Sequence, residues 1–534
     1  MLRRAVLLYG LLSATLYCVL LPLWEGFDEL FHYGYVQTLA NDHAVPVIGE
    51  TRVSLELWKS LDYAPMSPFI QDHLGRPSTN FAEYFRFSDE QRRGLRMALE
   101  TIDPALASKP SPVANYEAKQ APLTYALLAP VDLLVSRLPL PSRIFALRLV
   151  LSLASMTLAW AGMLRLGQRL GMTERMTCAA TFVLFSCQMT YGTVCHVAND
   201  ALLGPWLLFF LVAVMDAWDT PSPARTATSA LLMAVGLLIK SSTIAFVPLV
   251  FVWRWRKAPK QLAVSLGILL AIAGPWYLRN VILYHNVMAT PETTGVGLAS
   301  LLQAGVALPW YDTIRTTLHS ALWTGNTSFT SFSASTLNMA LALLGLALVL
   351  YAIRYRRYGR LAAQENVLLA AILLYTGALA GITLSYFASS KGASTAPMPW
   401  YVQLILAPVF TACFLGLSKW NHRGGKWLAM ANVLLWSYIG IIGWLAKLVP
   451  YYSGYQGARA HFSELASWYW NEAVSRGAML AALCPGPVWL IYLLLAAVIA
   501  VALALTVRLC LVVITSTGAP PNRNPHFTQS RTAL

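Results

Sequence analysis

Charged residues are scarce in this sequence. Only 12% of its 534 residues are Asp, Glu, Lys or Arg, whereas a typical soluble protein carries about 25%. Hydrophobic residues make up 57% of the chain, and the mean hydropathy is +0.54. This composition excludes a soluble domain with a single anchor and indicates an integral membrane protein with many spans.

Acidic residues are in short supply relative to basic ones, with 24 Asp and Glu against 39 Lys and Arg and a net charge of +15. In a soluble protein that balance would suggest a nucleic-acid partner. In a polytopic protein it is typical of basic cytoplasmic loops. We therefore expect no nucleic-acid partner and expect the basic residues to report the topology.

The sequence also lacks a cysteine framework, an internal repeat and a signal-peptide cleavage site. Its seven cysteines lie mostly in apolar runs, without the spacing of disulfide scaffolds or zinc sites. Inverted repeats, which are common in secondary transporters, are not visible. The first apolar run, 5–23, ends in Pro22-Leu23-Trp24 without small residues, so it predicts an uncleaved first span with a cytoplasmic amino terminus.

What the sequence does contain is a series of apolar runs, each of which can be tested against the roughly 20 residues that a span requires. The run 121–136 is short and contains two prolines and Asp132, so we predict that it lies on or dips into the outer leaflet. The run 226–253 is too long for one helix and is split at Lys240. Twelve spans are then predicted: 5–23, 144–164, 177–196, 201–217, two within 226–253, 261–278, 337–353, 366–387, 400–417, 427–447 and 488–514.

Loop charge supports this topology. With 121–136 outside the bilayer core, the basic stretches 254–260, 354–360 and 419–426 all fall on the cytoplasmic side, as the positive-inside rule requires. Both termini are then cytoplasmic, and the segments 24–120, 279–336 and 448–487 are outside. The sequence predicts an all-α polytopic protein with a large first outer loop of short juxtamembrane helices, one of them after the capping residue Ser88.

We divide the chain into a membrane module over 1–290, which includes the outer loop 24–120, and a carboxy-terminal membrane module over 291–515. The tail 516–534 has the composition of a disordered cytoplasmic segment.

The stretch WEGFDELFHYGYVQTLA, residues 24–40, places ionisable side chains directly after the first span. Asp28 and Glu29 begin a predicted helix, and His32 shares the helical face of Asp28. These side chains could form a general base or a metal site at the mouth of an outer cavity. They could equally be acids that the helix dipole favours at a helix start.

Four further stretches place polar and charged residues near the outer ends of predicted spans. Each has a structural alternative: an interfacial anchor, a helix cap or a side chain that snorkels to the interface. We assigned the topology from the basic loops, without reference to these stretches. That topology nevertheless places all of them on the outer face, as a single active site would require. Their candidate residues are Glu117 and Lys119, Asn199 and Asp200, Lys240, and Arg279 with Asn280.

Taken in order, these motifs resemble the GT-C superfamily of polytopic glycosyltransferases. They comprise an acidic pair after the first span, a long first outer loop, the stretch NYEAKQAPLTY, an Asn-Asp pair, GLLIKSS and WYLRN. The chain looks most like the bacterial branch near the protein mannosyltransferases and the aminoarabinose transferases. The resemblance covers about residues 5–290, and its motifs are short.

The resemblance implies an inverting transfer of a sugar from a polyprenyl-phosphate donor to an acceptor hydroxyl. Asp28 would be the general base, Glu29 would support it, and Glu117 would match an acidic position of some members. Lys240 and Arg279 would hold the lipid phosphate. The implied location is the outer face of a bacterial inner membrane, and the acceptor is a glycan, a lipid or a protein.

The sequence departs from the family in two places. Lys119-Gln120-Ala121-Pro122 stands where many relatives have His-Pro-Pro, and Trp400-Tyr401 stands where some have Gly-Arg-Tyr. Some members use a divalent metal. Asp28 and His32 could supply two ligands, but no full ligand set is visible. A lipid or glycan transporter and a non-catalytic scaffold of glycan assembly are the alternative hypotheses.

Overall fold

The computed structural model describes residues 1–74, 78–252, 259–289, 296–358, 363–419, 423–455 and 462–515. In chain order its first helices are α1 (Leu2–Leu20), α2 (Glu29–Asn41), α3 (Leu55–Ser60), α4 (Pro68–Leu74), α5 (Phe81–Tyr84), α6 (Asp89–Glu100), α7 (Leu123–Val135), α8 (Leu140–Arg169), α9 (Glu174–Ser186), α10 (Gln188–Val194), α11 (Leu203–Asp219), α12 (Pro223–Ile239) and α13 (Val247–Phe251).

The second half of the chain is also helical. It contains α14 (Pro259–Ile272), α15 (Gly274–Tyr284), α16 (Leu298–Ala307), α17 (Trp310–Ser320), α18 (Ala334–Tyr358), α19 (Ala363–Ser389), α20 (Pro399–Lys419), α21 (Arg423–Ile442), α22 (Val449–Tyr452), α23 (Phe462–Asn471), α24 (Ala473–Leu483) and α25 (Val488–Thr515). Short 3₁₀ turns cover Pro104–Ser108, Tyr116–Lys119, Asn199–Leu202 and Ser241–Phe246, and a π-helical turn covers Gly443–Leu448. The predicted all-α polytopic class is confirmed.

Fewer helices than predicted are long enough to cross a bilayer unbroken. Among the described residues, eight helices are long and apolar enough, and the pair α14–α15, bent by 56°, would make a ninth. The bend falls at Gly274-Pro275, where proline lacks the amide that a continuous helix needs. The three remaining predicted spans, 177–196 and the two halves of 226–253, consist of shorter or interrupted helices.

The helices are interrupted at Cys187 and at Lys240. Between α9 and α10 the chain is extended at Cys187, and the hydroxyls of Thr190 and Tyr191 donate to the carbonyls of Leu184 and Phe185. After α12 the backbone is extended at the predicted break, Lys240, before the 3₁₀ turn. The run 121–136 forms α7, only 13 residues long, in agreement with the prediction that it does not span.

The first outer loop folds into short helices, as predicted. Ser88 caps α6 through a capping box, because its hydroxyl accepts from the Gln91 amide at 3.2 Å while the Gln91 side chain accepts from the Ser88 amide at 2.8 Å. The loop is closed by two short antiparallel strands, β1 (Arg52–Ser54) and β2 (Pro110–Ala114). This pairing returns the chain to α2 and so brings residues 115–120 beside residues 28–32.

The two ends of the chain pack together. Helix α1 lies against α8, α9 and α25, and α9 also packs on α20 and α21. The turn after α1, residues 21–28, is therefore surrounded by elements from both halves. The tail 516–534 and parts of the predicted cytoplasmic loops (253–258, 359–362 and 420–422) lie outside the described residues.

Candidate active site

Asp28 stands at the amino end of α2 and is partly accessible, unlike the buried Glu25 and Glu29 on either side of it. Its backbone is left-handed, with φ of 55°, a conformation that Asp tolerates better than most residues. The Tyr116 hydroxyl donates a hydrogen bond to Asp28 Oδ1. The carboxylate is thus held in one orientation with its other oxygen unengaged among the described residues.

The surroundings raise the pKa of Asp28 to about 7. The main cause is removal of the carboxyl from water, and the charge of Glu117 adds to it, while the hydrogen bond from Tyr116 and the charge of Lys240 act in the opposite direction. Asp28 is therefore substantially ionised at neutral pH and is a stronger base than an ordinary carboxylate. Such a pKa suits a group that takes a proton near pH 7.

Glu29 is pinned to the membrane helix α8. Arg148 Nε donates to Glu29 Oε1 at 2.7 Å, a second guanidinium nitrogen bonds the other carboxylate oxygen, and the Val197 amide donates to Oε1 at 3.0 Å. Arg148 also donates to the carbonyls of Leu21 and Pro22. Both Glu29 and Arg148 are almost completely buried, so Glu29 anchors the turn that carries Asp28.

His32 faces the same region as Asp28 but is held by α7. Its Nδ1 lies 2.7 Å from the Tyr125 hydroxyl and 3.9 Å from Glu117 Oε2. Burial is the main reason that the pKa of His32 falls to about 3, so the imidazole is neutral at physiological pH. Glu117 is 5% exposed, and its Oε2 has no hydrogen-bond partner among the described residues.

Lys240 and Asp200 form a buried ion pair. Both Asp200 carboxylate oxygens lie 2.7 Å from Lys240 Nζ, and the ammonium lies 4.9 Å above the centre of the Tyr401 ring. Asn199 donates to the side chain of Gln120 at 3.0 Å and to the Ile239 carbonyl at 3.1 Å. The two residues of the Asn-Asp pair thus tie the 3₁₀ turn 199–202 to the outer loop and to the break after α12.

A cavity of about 1200 Å³, its open mouth included, lies beside Glu117 and Lys240. One part of its wall is polar and carries Glu117, Lys119, Lys240 and Tyr401. The rest is apolar and comes mainly from α19 and the turn after Lys240. A cavity that combines a polar end with apolar walls fits an amphiphilic ligand with a charged head.

A second, narrow cavity lies between the membrane helices, with Thr190, Asp200, Leu203 and Trp400 among its lining residues. Its lining is largely apolar. The Asp200–Lys240 pair separates it from the larger cavity, because Asp200 lines the one and Lys240 lines the other.

The structure places Arg279 and Asn280 differently from the other candidates. Arg279 donates to the Pro46 carbonyl at 2.6 Å, and its guanidinium stacks on the rings of Trp276 and Tyr284. Asn280 donates to the Val287 carbonyl at 3.2 Å. Neither residue lines the 1200 Å³ cavity beside Lys240. One nitrogen of Arg279 is nevertheless buried without a hydrogen-bond acceptor in the described part of the chain.

Several residues of this site did not stand out in the sequence. Tyr116 and Gln120 flank the predicted pair Glu117 and Lys119, and Tyr401 appeared only as a departure from the family pattern. Arg148 offered a clear signal, because an arginine inside the apolar run 144–164 requires a buried partner.

Metal ligands do not gather here. No group of three His, Cys, Asp or Glu side chains in the described ranges could hold a metal ion. We therefore derive no step through a metal.

No protein-family model matches the sequence, and no curated protein is significantly similar to it. Two solved structures of ArnT from Cupriavidus metallidurans are similar in three dimensions, one bound to undecaprenyl phosphate and one in the apo state. They share 13% and 14% identity with this chain, with TM-scores of 0.41 and 0.38. Each alignment covers 85% of this chain and 74% of the other.

Proposed function

We propose that this protein is an inverting glycosyltransferase that moves a sugar from a polyprenyl phosphate to an acceptor hydroxyl, at the outer face of a bacterial inner membrane. The proposal rests on the environment of Asp28. This residue is a partly accessible carboxylate with a pKa of about 7, and it stands near a cavity that is lined by the buried Lys240 and the partly exposed Lys119 and has apolar walls.

The proposed reaction is a single displacement. Asp28 takes the proton of the acceptor hydroxyl as that oxygen attacks the anomeric carbon from the face opposite the phosphate. The bond between the anomeric carbon and the phosphate oxygen breaks, and the polyprenyl phosphate leaves with the bonding electrons. A base positioned in this way typically contributes a factor of about 10²–10⁴ to the rate.

Cations near the polar end of the cavity would stabilise the leaving phosphate. Lys240 lines the cavity, and two of its ammonium protons are engaged by Asp200, which leaves a third for a ligand. Lys119 lines the same cavity. Asp200 and Asn199 would position Lys240, whereas the packing of Arg279 against Pro46 favours a contact farther along the lipid or the outer loop.

Glu29, His32 and Glu117 would support the base. Glu29 fixes the turn that carries Asp28, and neutral His32 is hydrogen-bonded to Tyr125 beside Glu117. The negative charge of Glu117 keeps the pKa of Asp28 high. The proposed acceptor is a glycan, a lipid or a protein.

The test uses the full-length protein in proteoliposomes that contain undecaprenyl phosphate linked to a panel of hexoses and aminosugars. Release of undecaprenyl phosphate is measured for the wild type and for Asp28→Asn. We expect the substitution to lower kcat/KM by about 10²–10⁴ without weakening donor binding. Lys240→Met should instead weaken donor binding.

Asp42→Asn is the matched control, because Asp42 is exposed at the opposite end of the same helix. Wild-type rates for Asp28→Asn would remove Asp28 from the role of base. Movement of the lipid-linked sugar across the membrane without sugar release would favour the transporter hypothesis. A wild type with neither activity would favour a scaffold.

A further inference from the structure

A separate polar groove of about 680 Å³ lies between α17 and the start of α18. Four of its lining residues, Asp312, Arg315, Thr316 and His319, follow helical spacing and so form one stripe along α17. Trp323 lies at the end of the stripe. The volume of 680 Å³ includes open solvent at the mouth of the groove.

A neighbouring face of α17 is apolar and exposed. Tyr311, Ile314 and Leu318 are 76%, 53% and 44% accessible and lie three to four residues apart. In a membrane protein, such a stripe faces the lipid or the interface. An amphipathic helix of this kind is typical of the membrane interface, and the polar stripe of α17 lines the groove.

The groove has fixed walls. The Thr313 hydroxyl donates to the Thr395 carbonyl at 2.7 Å, and the Gln403 side chain donates to the Ala321 carbonyl at 2.8 Å, so both ends of α17 are attached to neighbouring elements. His319 Nε2 contacts Asn338 Oδ1 at 2.8 Å across the groove.

The groove combines exposed side chains of opposite charge with an aromatic ring. Asp312 and Arg315 make no hydrogen bond or ion pair with other residues in the described part of the chain, although they are three positions apart and opposite in charge. Trp323 is half-buried, and its ring makes a T-shaped contact with the ring of Phe329. Sugars match this combination, since one face of a pyranose is apolar C–H surface and its rim carries hydroxyls.

A line of packed aromatic rings connects the groove with the turn that carries Asp28. The Trp323 ring centre lies 5.6 Å from that of Phe329, which lies 6.2 Å from that of Phe27, the residue before Asp28. The 1200 Å³ cavity approaches Asp28 through Glu117 and shares no lining residue with the groove. The groove and the cavity are thus separate spaces near the Asp28 turn, an arrangement that suits one substrate in each.

We propose that this groove binds the sugar units of a glycan acceptor. Trp323 stacks on a sugar face, Asp312 and Thr316 bind hydroxyl or amino groups, and Arg315 and His319 bind hydroxyl or anionic groups. The assignment of this glycan as the acceptor rests on the proposed transferase function, whereas the binding of sugar does not.

Binding is tested directly on the full-length protein in lipid nanodiscs by saturation-transfer NMR, with glucose, glucosamine and glucose 6-phosphate as probes. We expect saturation of at least one probe and its loss in Trp323→Ala. Trp470→Ala is the matched control, since Trp470 is 85% exposed and lies outside the groove. Asp312→Asn should reduce binding of glucosamine, and Arg315→Gln that of glucose 6-phosphate.

Kinetics then separate this inference from the proposed function. Once a glycan acceptor is known, Trp323→Ala should raise its KM by roughly fivefold to tenfold, with the donor KM and kcat unchanged. If Trp323→Ala does not fold, the exposed variants Asp312→Asn and Arg315→Gln provide the same measurement.

In one outcome, the protein binds sugar through Trp323 and yet shows no transferase activity. That result would contradict the proposed function and leave the groove as a glycan site. Transferase activity with no probe bound, or with binding indifferent to Trp323, would overturn the groove alone. Saturation of a Ser-Thr tetrapeptide in place of the sugars would also overturn it, in favour of a protein acceptor.

Discussion

At the scale of single residues, Asp28 differs from its acidic neighbours in its accessibility. Glu25 and Glu29 are fully buried and saturated with donors, whereas Asp28 keeps one oxygen without a hydrogen-bond partner in the described residues. Its neighbours therefore hold the turn together, and Asp28 alone among the three is accessible. This division of roles explains why three acids occur within five residues at the end of a membrane helix.

Tyr116 should tune the base. Its hydrogen bond lowers the pKa of Asp28 against the larger effect of burial. Tyr116→Phe removes that bond, so the acidic limb of the kcat/KM profile, expected near pH 7 in the wild type, should move to higher pH. Transfer rates measured between pH 5 and 9 would show the shift. Tyr311→Phe, at an exposed position, is the control, and a limb that stays in place would contradict the contact.

Glu25 should make stability depend on pH. Burial raises its pKa to about 7, and Thr327, Ser328 and Tyr452 donate to its carboxylate. A raised pKa means that the folded protein holds the proton more tightly. Glu25 therefore stabilises the fold fully below its ordinary pKa, near 4.5, and this stabilisation, about 3 kcal/mol, is lost as pH rises to about 7.

Thermal unfolding midpoints measured from pH 4.5 to 8 should accordingly fall with rising pH, and Glu25→Gln should flatten the curve. The variant Asp28→Asn must be measured as well, because the raised pKa of Asp28 also makes the stability of the fold decrease with rising pH. A curve that keeps its full slope in the double variant would assign the dependence to other groups.

Residue types were easier to predict than residue partners. The sequence predicted that ionisable residues around 28, 117, 200 and 240 would share one site, and contacts link these stretches in the structure. It could not predict that Glu29 would pair with an arginine 119 positions away, because helix packing selects that partner. The roles assigned to these residues stay predictions until they are measured.

At the scale of elements, the ion pair between Glu29 and Arg148 joins α2 to α8. Arg148→Met leaves a buried carboxylate unpaired, so we expect a loss of about 3–5 kcal/mol in the free energy of unfolding. The double variant Arg148→Met/Glu29→Gln should recover part of that loss, because no charge is left in the interior.

Arg169→Met on the same helix is the matched control for this measurement. Its partners Asp216 and Asp219 are partly exposed, so the expected loss is about 1 kcal/mol or less. Equal losses in the two single variants, measured by denaturant unfolding in detergent, would contradict an anchoring role for Arg148.

Helix boundaries were predictable wherever the determinant is local. The capping box of α6 and the break at Lys240 are visible in the sequence. The break at Cys187 was missed because hydroxyls from the following turn stabilise it, and the 56° bend at Gly274-Pro275 was missed because prolines also occur in continuous membrane helices. Hydropathy reports how apolar a segment is, and the apolar sequence continues across such breaks.

At the scale of the whole molecule, broken helices and the candidate site occur together. The interruptions at Cys187 and Lys240 border the turn 195–202 and the ion pair Asp200–Lys240. Irregular backbone at membrane depth is tolerated where it is buried in protein or lines a cavity. The three predicted spans that fall short of full length thus all adjoin the candidate site.

The proposed orientation of the molecule follows from loop charge, and labelling can test it. The exposed positions Lys109, in the first outer loop, and Thr220, between α11 and α12, should lie on opposite sides of the membrane. Native cysteines interfere little, since six of the seven are buried and Cys510 is only partly accessible. In intact cells an impermeant maleimide should label Lys109→Cys and leave Thr220→Cys unlabelled until the membrane is opened. The reverse pattern would place Asp28 and both cavities on the cytoplasmic side, where a donor presented at the outer face could not reach them.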